Sequence, residues 1–181
     1  ARFAGGMFAD DFAAFLRRPA LERDERITPD RRRAMFAAVS PDGLHWRALP
    51  QPLLFHMSDT DTSVEWDAGL ERYVMFTRMA RQGRRWIGRA TSADFAHWSP
   101  VEPVVWPRLD DTPDYHSYLH GYTRYPGLPE HRLLFPLDWQ RYAERSEVRL
   151  YASADGVAWN QVPGGPVLTA GGAGDWDGEF I

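Results

Sequence analysis

The sequence predicts an all-β repeat protein, a β-propeller of four-stranded antiparallel blades, of which this chain covers about three. Three observations carry that prediction. The phrase Ser-x-Asp-x-x-x-Trp occurs at Ser40 to Trp46, at Ser92 to Trp98 and at Ser153 to Trp159. Each copy follows an apolar, strand-like run: Ala34 to Val39, Trp86 to Ala90 and Val148 to Ala152. Each also leads into a second extended, proline-bearing segment: Leu49 to Phe55, Val101 to Trp106 and Val162 to Leu168. The tryptophans thus recur at roughly 50–60 residues, the scale of a propeller blade or solenoid repeat.

The phrase has a physical reading. Asp42-Gly43 and Asp155-Gly156 are hairpin-turn dipeptides, because glycine accepts positive φ and aspartate bonds its own turn backbone. The serine caps the same turn, and the indole starts the returning strand, where it can wedge between neighbouring sheets.

In chain order, residues 1–9 read as a strand, and Asp11 to Leu21 as a helix of about two turns, placing Phe12, Phe15 and Leu16 at helical spacing ahead of Pro19. Glu22 to Arg33 is charged and exposed, and Thr28-Pro29-Asp30 is a turn. The second repeat divides into strands near 61–67, 72–79, 84–91 and 98–105; the third into strands near 115–124, 131–138, 147–153 and 159–163. The expected units are an incomplete first blade over 1–57, complete blades over 58–108 and 109–170, and the start of a fourth over 171–181. Both chain ends read as strand interior, so the sequence is expected to be a fragment.

Composition narrows the chemistry. The chain has 181 residues with 44% hydrophobic and 14% aromatic content, enough to bury a core. Its net charge of −4 gives no electrostatic case for nucleic acid. All 21 basic residues are arginine. Without cysteine there is no disulfide framework, thiolate nucleophile or Cys-based zinc site. No apolar run is long enough to insert in a membrane as a helix. No signal peptide opens the chain, which leaves bacterial cytoplasm and secretion both open.

The chemistry is expected where the blades begin. In a propeller each blade's first strand lines the central channel, and the blade openings here are acidic: Asp59 and Asp61, then Asp110, Asp111 and Asp114, then Asp175, Asp177 and Glu179. Tyr115, His116, Tyr118, His120 and Tyr122 share the third opening strand. Carboxylates converging from separate blades are the equipment of glycoside hydrolysis. The opposing reading is that each aspartate caps a turn. His45 and His97 take equivalent hairpin positions and read as structural, and Arg31-Arg32-Arg33 as a solvated edge. Trp66 and Trp139 read either as sugar-stacking platforms or as interblade packing. His116 and His120 stand four apart, about 13 Å along a strand, which argues against a shared metal ion. No cofactor motif is present.

These residues resemble a known group. The phrase extended to Ala-x-Ser-x-Asp-x-x-x-Trp (Ala38 to Trp46, Ala90 to Trp98) is similar to the blade-closing phrase of the five-bladed β-propeller glycosidases, the superfamily around glycoside hydrolase families 32, 43 and 68. Asp59 to Asp67, followed by Arg72-Tyr73-Val74-Met75-Phe76, resembles their second-blade opening, with Thr62 where they carry asparagine. Gly174-Asp175-Trp176-Asp177 resembles the start of their fourth blade. The resemblance implies a hydrolase of a small or terminal glycosidic unit with no organic cofactor. Its three acids would include a blade-one aspartate lying before Ala1, Asp59 or Asp61 in blade two, and Asp114 where the better-known families carry glutamate. Asp59 or Asp61 would orient substrate or stabilise charge, Asp114 or Glu179 would act as the acid, and Asp177 is a further catalytic candidate. His116, His120, Tyr118, Trp66 and Arg78 would contact the sugar. The alternatives are a non-catalytic carbohydrate-binding or scaffold propeller, and a sialidase-like propeller in which Arg78, Arg89 and Arg124 converge on the channel.

Overall fold

The computed structural model describes residues 8–59, 61–109 and 111–178. The strand expected over 1–9 lies outside the described residues except for Phe8 and Ala9, which are a turn residue and the first residue of a helix. That helix, α1 (Ala9–Leu16), buries Phe12 and Phe15. Both rings pack on Phe55, at 5.2 and 5.5 Å between centroids, over a small core with Ile27 and Ala34. The first repeat contributes one hairpin, β1 (Ala38–Val39) with β2 (Arg47–Ala48). The strand expected from Ala34 is interrupted: after the Met35–Leu54 bridge the ladder lapses, and it resumes only where the Ala37 carbonyl accepts Leu49 N. Pro50 and Pro52 opposite have no N–H to give the ladder.

The second repeat is a four-stranded antiparallel sheet in sequential order, β3 (Thr62–Asp67), β4 (Arg72–Arg81), β5 (Arg84–Ser92) and β6 (Glu102–Val105). A tight turn at Gln82-Gly83, both at positive φ (53° and 72°), joins β4 to β5, and the Glu25 carboxylate accepts both turn amides. Residues 74 to 80 of β4 are all buried because both faces of the sheet are covered. Val74 and Phe76 face the third repeat, packing with Leu134, Tyr151, Tyr122 and Trp159. Met75 and Met79 face the first, packing with Leu54, Met35 and Trp98. Gly88 sits at this second contact, where a Cβ would stand 2.4 Å from Val101 Cγ1 and 2.9 Å from Met79 Sδ. Gly88→Ala is therefore expected to cost about 1–3 kcal/mol by overpacking, read as a lowered urea midpoint at unchanged m-value.

The third repeat is again four-stranded, but its outer half is broken. β7 (Tyr115–Tyr125) and β8 (Leu128–Gln140) form a long hairpin. The third strand comes in two pieces, β9 (Arg145–Val148) and β10 (Tyr151–Ser153), both paired to β8. The fourth is likewise β11 (Asn160–Gln161) on β10 and β12 (Leu168–Thr169) on β9. The sequence predicted unbroken strands over 147–153 and 159–163. The cause of the break is Pro136 in the middle of β8: its carbonyl accepts Arg149 N at 3.1 Å, but it has no N–H to return. The ladder bulges at Arg149-Leu150, and Pro163 to Pro166 loop out beside it.

All three Ser-x-Asp-x-x-x-Trp hairpins share one bond pattern. The serine Oγ meets the aspartate Oδ1 at 2.9–3.1 Å, and that oxygen accepts the backbone N–H two and three residues on. The indole N–H donates to the carbonyl three residues before it. The residue after each aspartate is left-handed: Gly43 at φ 75°, Gly156 at φ 70° and Phe95 at φ 66°. Trp98 packs on the first repeat and Trp159 on the second, so these two indoles wedge against the preceding unit, whereas Trp46 of the first hairpin is exposed.

Candidate site at the start of the opening strands

β3 and β7 open their repeats, and the residue that leads into β3 reaches the middle of β7. Asp61, held in the left-handed region at φ 44°, reaches across to β7. Its Oδ2 accepts the His120 backbone N–H and lies 3.0 Å from His120 Nδ1. His120 Nε2 is 3.2 Å from Ser63 Oγ on β3. Burial pulls the pKa of this imidazole down, and the Asp61 carboxylate opposes that shift. Asp59, at the exposed rim, ion-pairs with Arg78 of β4, whose side chain is only 3% exposed.

The Arg78 guanidinium lies over the Tyr118 ring, 4.9 Å from its centroid, and that of Arg85 over the same ring at 5.0 Å. Arg85 also lies 5.5 Å from the Trp139 ring, which meets Tyr118 edge-on at 5.5 Å. His116 Nδ1 accepts the Arg85 backbone N–H at 3.1 Å, so the neutral ring carries its proton on Nε2. Burial, reinforced by Arg85, Arg141 and Arg84, pushes the His116 pKa down to about 4. The first repeat backs this corner: His56 Nε2 lies 2.9 Å from the Arg78 carbonyl, and its Nδ1 lies 3.4 Å from Asp24, which also pairs with Arg26.

No protein-family model matches the chain, and no curated protein matches it. Solved structures do. An N-acetylgalactosamine deacetylase from F. plautii, in complex with blood group B trisaccharide, superposes with TM-score 0.55 at 15% identity, over 82% of this chain and 45% of that one. A fructan 1-exohydrolase IIa variant from Cichorium intybus, in complex with 1-kestose, gives TM-score 0.55 at 16% identity, over 75% of this chain and 26% of that one. A glycoside hydrolase gives TM-score 0.51 at 20% identity, over 70% of this chain and 41% of that one. The chain has the fold of the β-propeller glycosidases. It spans under half the length of each of these structures.

Of the residues singled out from sequence, the propeller brings together Asp59, Asp61, Arg78, His116, Tyr118 and His120. His116 and His120 serve different partners, Arg85 and the Asp61–Ser63 pair. Asp114 is engaged elsewhere: its Oδ2 accepts the Tyr142 N–H at 2.9 Å, closing the turn after β8. Hydrogen bonds from the Thr112 side chain and that amide hold its carboxyl below the usual range, the opposite of what a general acid needs. Trp66 stands at the far end of β3, half-exposed and edge-on to Tyr73 at 4.9 Å, away from the acids that precede the strand. Asp177 lies in the 171–178 loop beside the Tyr142–Arg145 turn, its carbonyl accepting Gly171 N. Glu179 and Asp110 lie outside the described residues. Arg89 and Arg124 do not join Arg78: Arg89 feels Glu102, Tyr122 and Arg132, and Arg124 lies opposite Arg132 on β8. Arg85 was missed. Its signal was its place two residues after the Gln82-Gly83 turn, which puts it at the same end of the sheet as Asp59.

Proposed function

We propose that this propeller segment forms part of the sugar site of a glycoside hydrolase acting on a small or terminal glycosidic unit. The observation that supports this reading is the meeting of Asp59, Asp61, His116, Tyr118 and His120, from the openings of two blades, at one end of the sheets. In this reading residues 58–108 and 109–170 are the two complete blades, and 171–181 begins the next. Asp59 is exposed and paired with Arg78, and it accepts sugar hydroxyls and stabilises positive charge developing on the anomeric carbon. Asp61 is locked to His120 and fixes the register of the two opening strands. Tyr118 and Trp139, over which the Arg78 and Arg85 guanidiniums lie, leave ring edges for the sugar's apolar side. Glu179, the acid opening the next repeat, is assigned by sequence position as the proton donor to the leaving oxygen.

A non-catalytic glycan-binding propeller is the second reading. It is favoured by the engagement of Asp61 and Asp114 with backbone amides. Turnover of aryl pyranosides and furanosides by the full-length protein separates the two. Under the first reading Asp59→Asn lowers kcat/KM by about 10²–10⁴-fold while sugar binding persists. Undiminished turnover by that variant removes Asp59 from the chemistry. Sugar binding without turnover in the wild type leaves the second reading.

A further inference from the structure

We propose that the sugar taken by this site carries an anionic oxygen group, a carboxylate or a sulfate, received by Arg85 and by the edge of Arg78 that now meets Asp59. The inference rests on the carbohydrate reading above and adds the substrate class. Its basis is a charge imbalance built into the corner. Arg78 is buried, and its Nε and Nη1 have no hydrogen-bond partner. Among the described residues Asp59 is its one ion-pair partner, and that carboxylate is 66% exposed, so it can be displaced. Arg85 makes no ion pair among the described residues, nor do Arg84 and Arg141, whose charges reach the same His116 ring. The other nearby carboxylates are occupied: Asp61 by His120, Asp114 by the Tyr142 amide, and Asp24 by Arg26 and His56.

Two guanidiniums sharing the Tyr118 ring repel each other, and both are desolvated. Burying a charge without a matching partner is costly. A neutral sugar leaves that cost in place. A planar carboxylate or a sulfate relieves it, because a guanidinium offers parallel N–H donors matched to two oxygens. Tyr118 and Trp139 already hold the Arg85 plane by stacking, so little side-chain freedom remains to be lost on binding.

The test compares matched probes by calorimetry on the full-length protein: methyl β-D-glucuronide and methyl β-D-galacturonide, the methyl glycoside of N-acetylneuraminic acid, and 6-O-sulfated methyl β-D-glucoside, against the neutral methyl glucoside and galactoside. At least one anionic probe is expected to bind tenfold or more tightly than its neutral counterpart in 50 mM salt, and the advantage is expected to shrink in 0.5 M salt. R85Q is expected to reduce it below threefold, while R124Q leaves it unchanged. Which probe wins separates carboxylate from sulfate. If neutral and anionic probes bind equally, the inference is overturned and the glycosidase reading stands. If no sugar binds, both fall. If the preference survives R85Q, the assigned contact is wrong. Where R85Q does not fold by circular dichroism, a wild-type preference insensitive to salt overturns the proposal in its place.

Discussion

Arg132→Met is expected to destabilise the protein by about 3–5 kcal/mol, because it strands a buried carboxylate. Asp67 ends β3 and is 1% exposed; Arg132 on β8 reaches it with Nε at 2.6 Å and Nη2 at 2.9 Å. The remaining guanidinium nitrogen donates to the Ala154 carbonyl at 2.6 Å, tying in the third hairpin. Burial pushes the Asp67 pKa up, but the hydrogen bonds and charge of Arg132 overcome that and hold it low. Without Arg132, only the Gly69 and Leu70 amides remain to support the charge. In R132M the folded-state pKa of Asp67 then rises above its unfolded value, so part of the lost stability returns as pH falls. Adding D67N to R132M is expected to restore stability at neutral pH, since the pair of uncharged residues leaves no buried ion. Urea unfolding of the two single variants and the double reads this directly. A double variant as unstable as the sum of the singles would show that the two residues do not act as a pair.

Asp138→Asn is expected to stabilise the protein at pH 7–8 and to uncover a loss of stability on acidification. Asp138 is 1% exposed on β8, and burial pushes its pKa up to about 7. The Tyr115 and Ser117 side chains and the Arg149 charge pull it down, but Arg149 is shared with Asp111 and Glu147. Its folded pKa lies above its unfolded value, so its contribution is full below about pH 4 and is lost as pH rises towards 7. His116 has the reverse sign: its folded pKa of about 4 lies below its unfolded value, so its contribution is full above about pH 6.5 and is lost as pH falls. The two slopes oppose each other across the same window. Removing the carboxyl leaves the histidine slopes unopposed: His116 contributes a fall of roughly 2–3 kcal/mol between pH 7 and 4, and His56 and His120, whose pKa values burial also pulls down, add to it with the same sign. Thermal unfolding from pH 4 to 8 checks it. A D138N profile parallel to that of the wild type would refute the assignment.

The hairpin tips were legible in the sequence because the bonds that close them join residues three or fewer apart. The helix α1 is local too, closed by bonds four residues apart, whereas the turn at Gln82-Gly83 also draws on the distant Glu25 carboxylate, which its sequence does not announce. What sequence reasoning did not reach depends on register between strands or between repeats. Trp66 and Asp59 both belong to the second-blade opening, yet strand direction sends them to opposite ends. Arg85 looked like one surface arginine among many, and only the stacking of β7 against β5 places it over Tyr118. The broken third strand was foreshadowed by Pro136, whose missing donor matters only once its neighbour on both sides is known. Asp114 shows the reverse error: an acid at a blade opening was read as chemistry where its local turn claims it.

The closed bonding of the three hairpin tips bears on how such an architecture can change over generations. Each tip satisfies its own polar groups and orients its own indole before any neighbour arrives. A duplicated gene segment of one period would therefore bring a finished latch with it, needing only an apolar face to close upon. Residues between the latches are free to drift until ordinary sequence comparison finds no kin, while the ring they assemble stays recognisable in three dimensions.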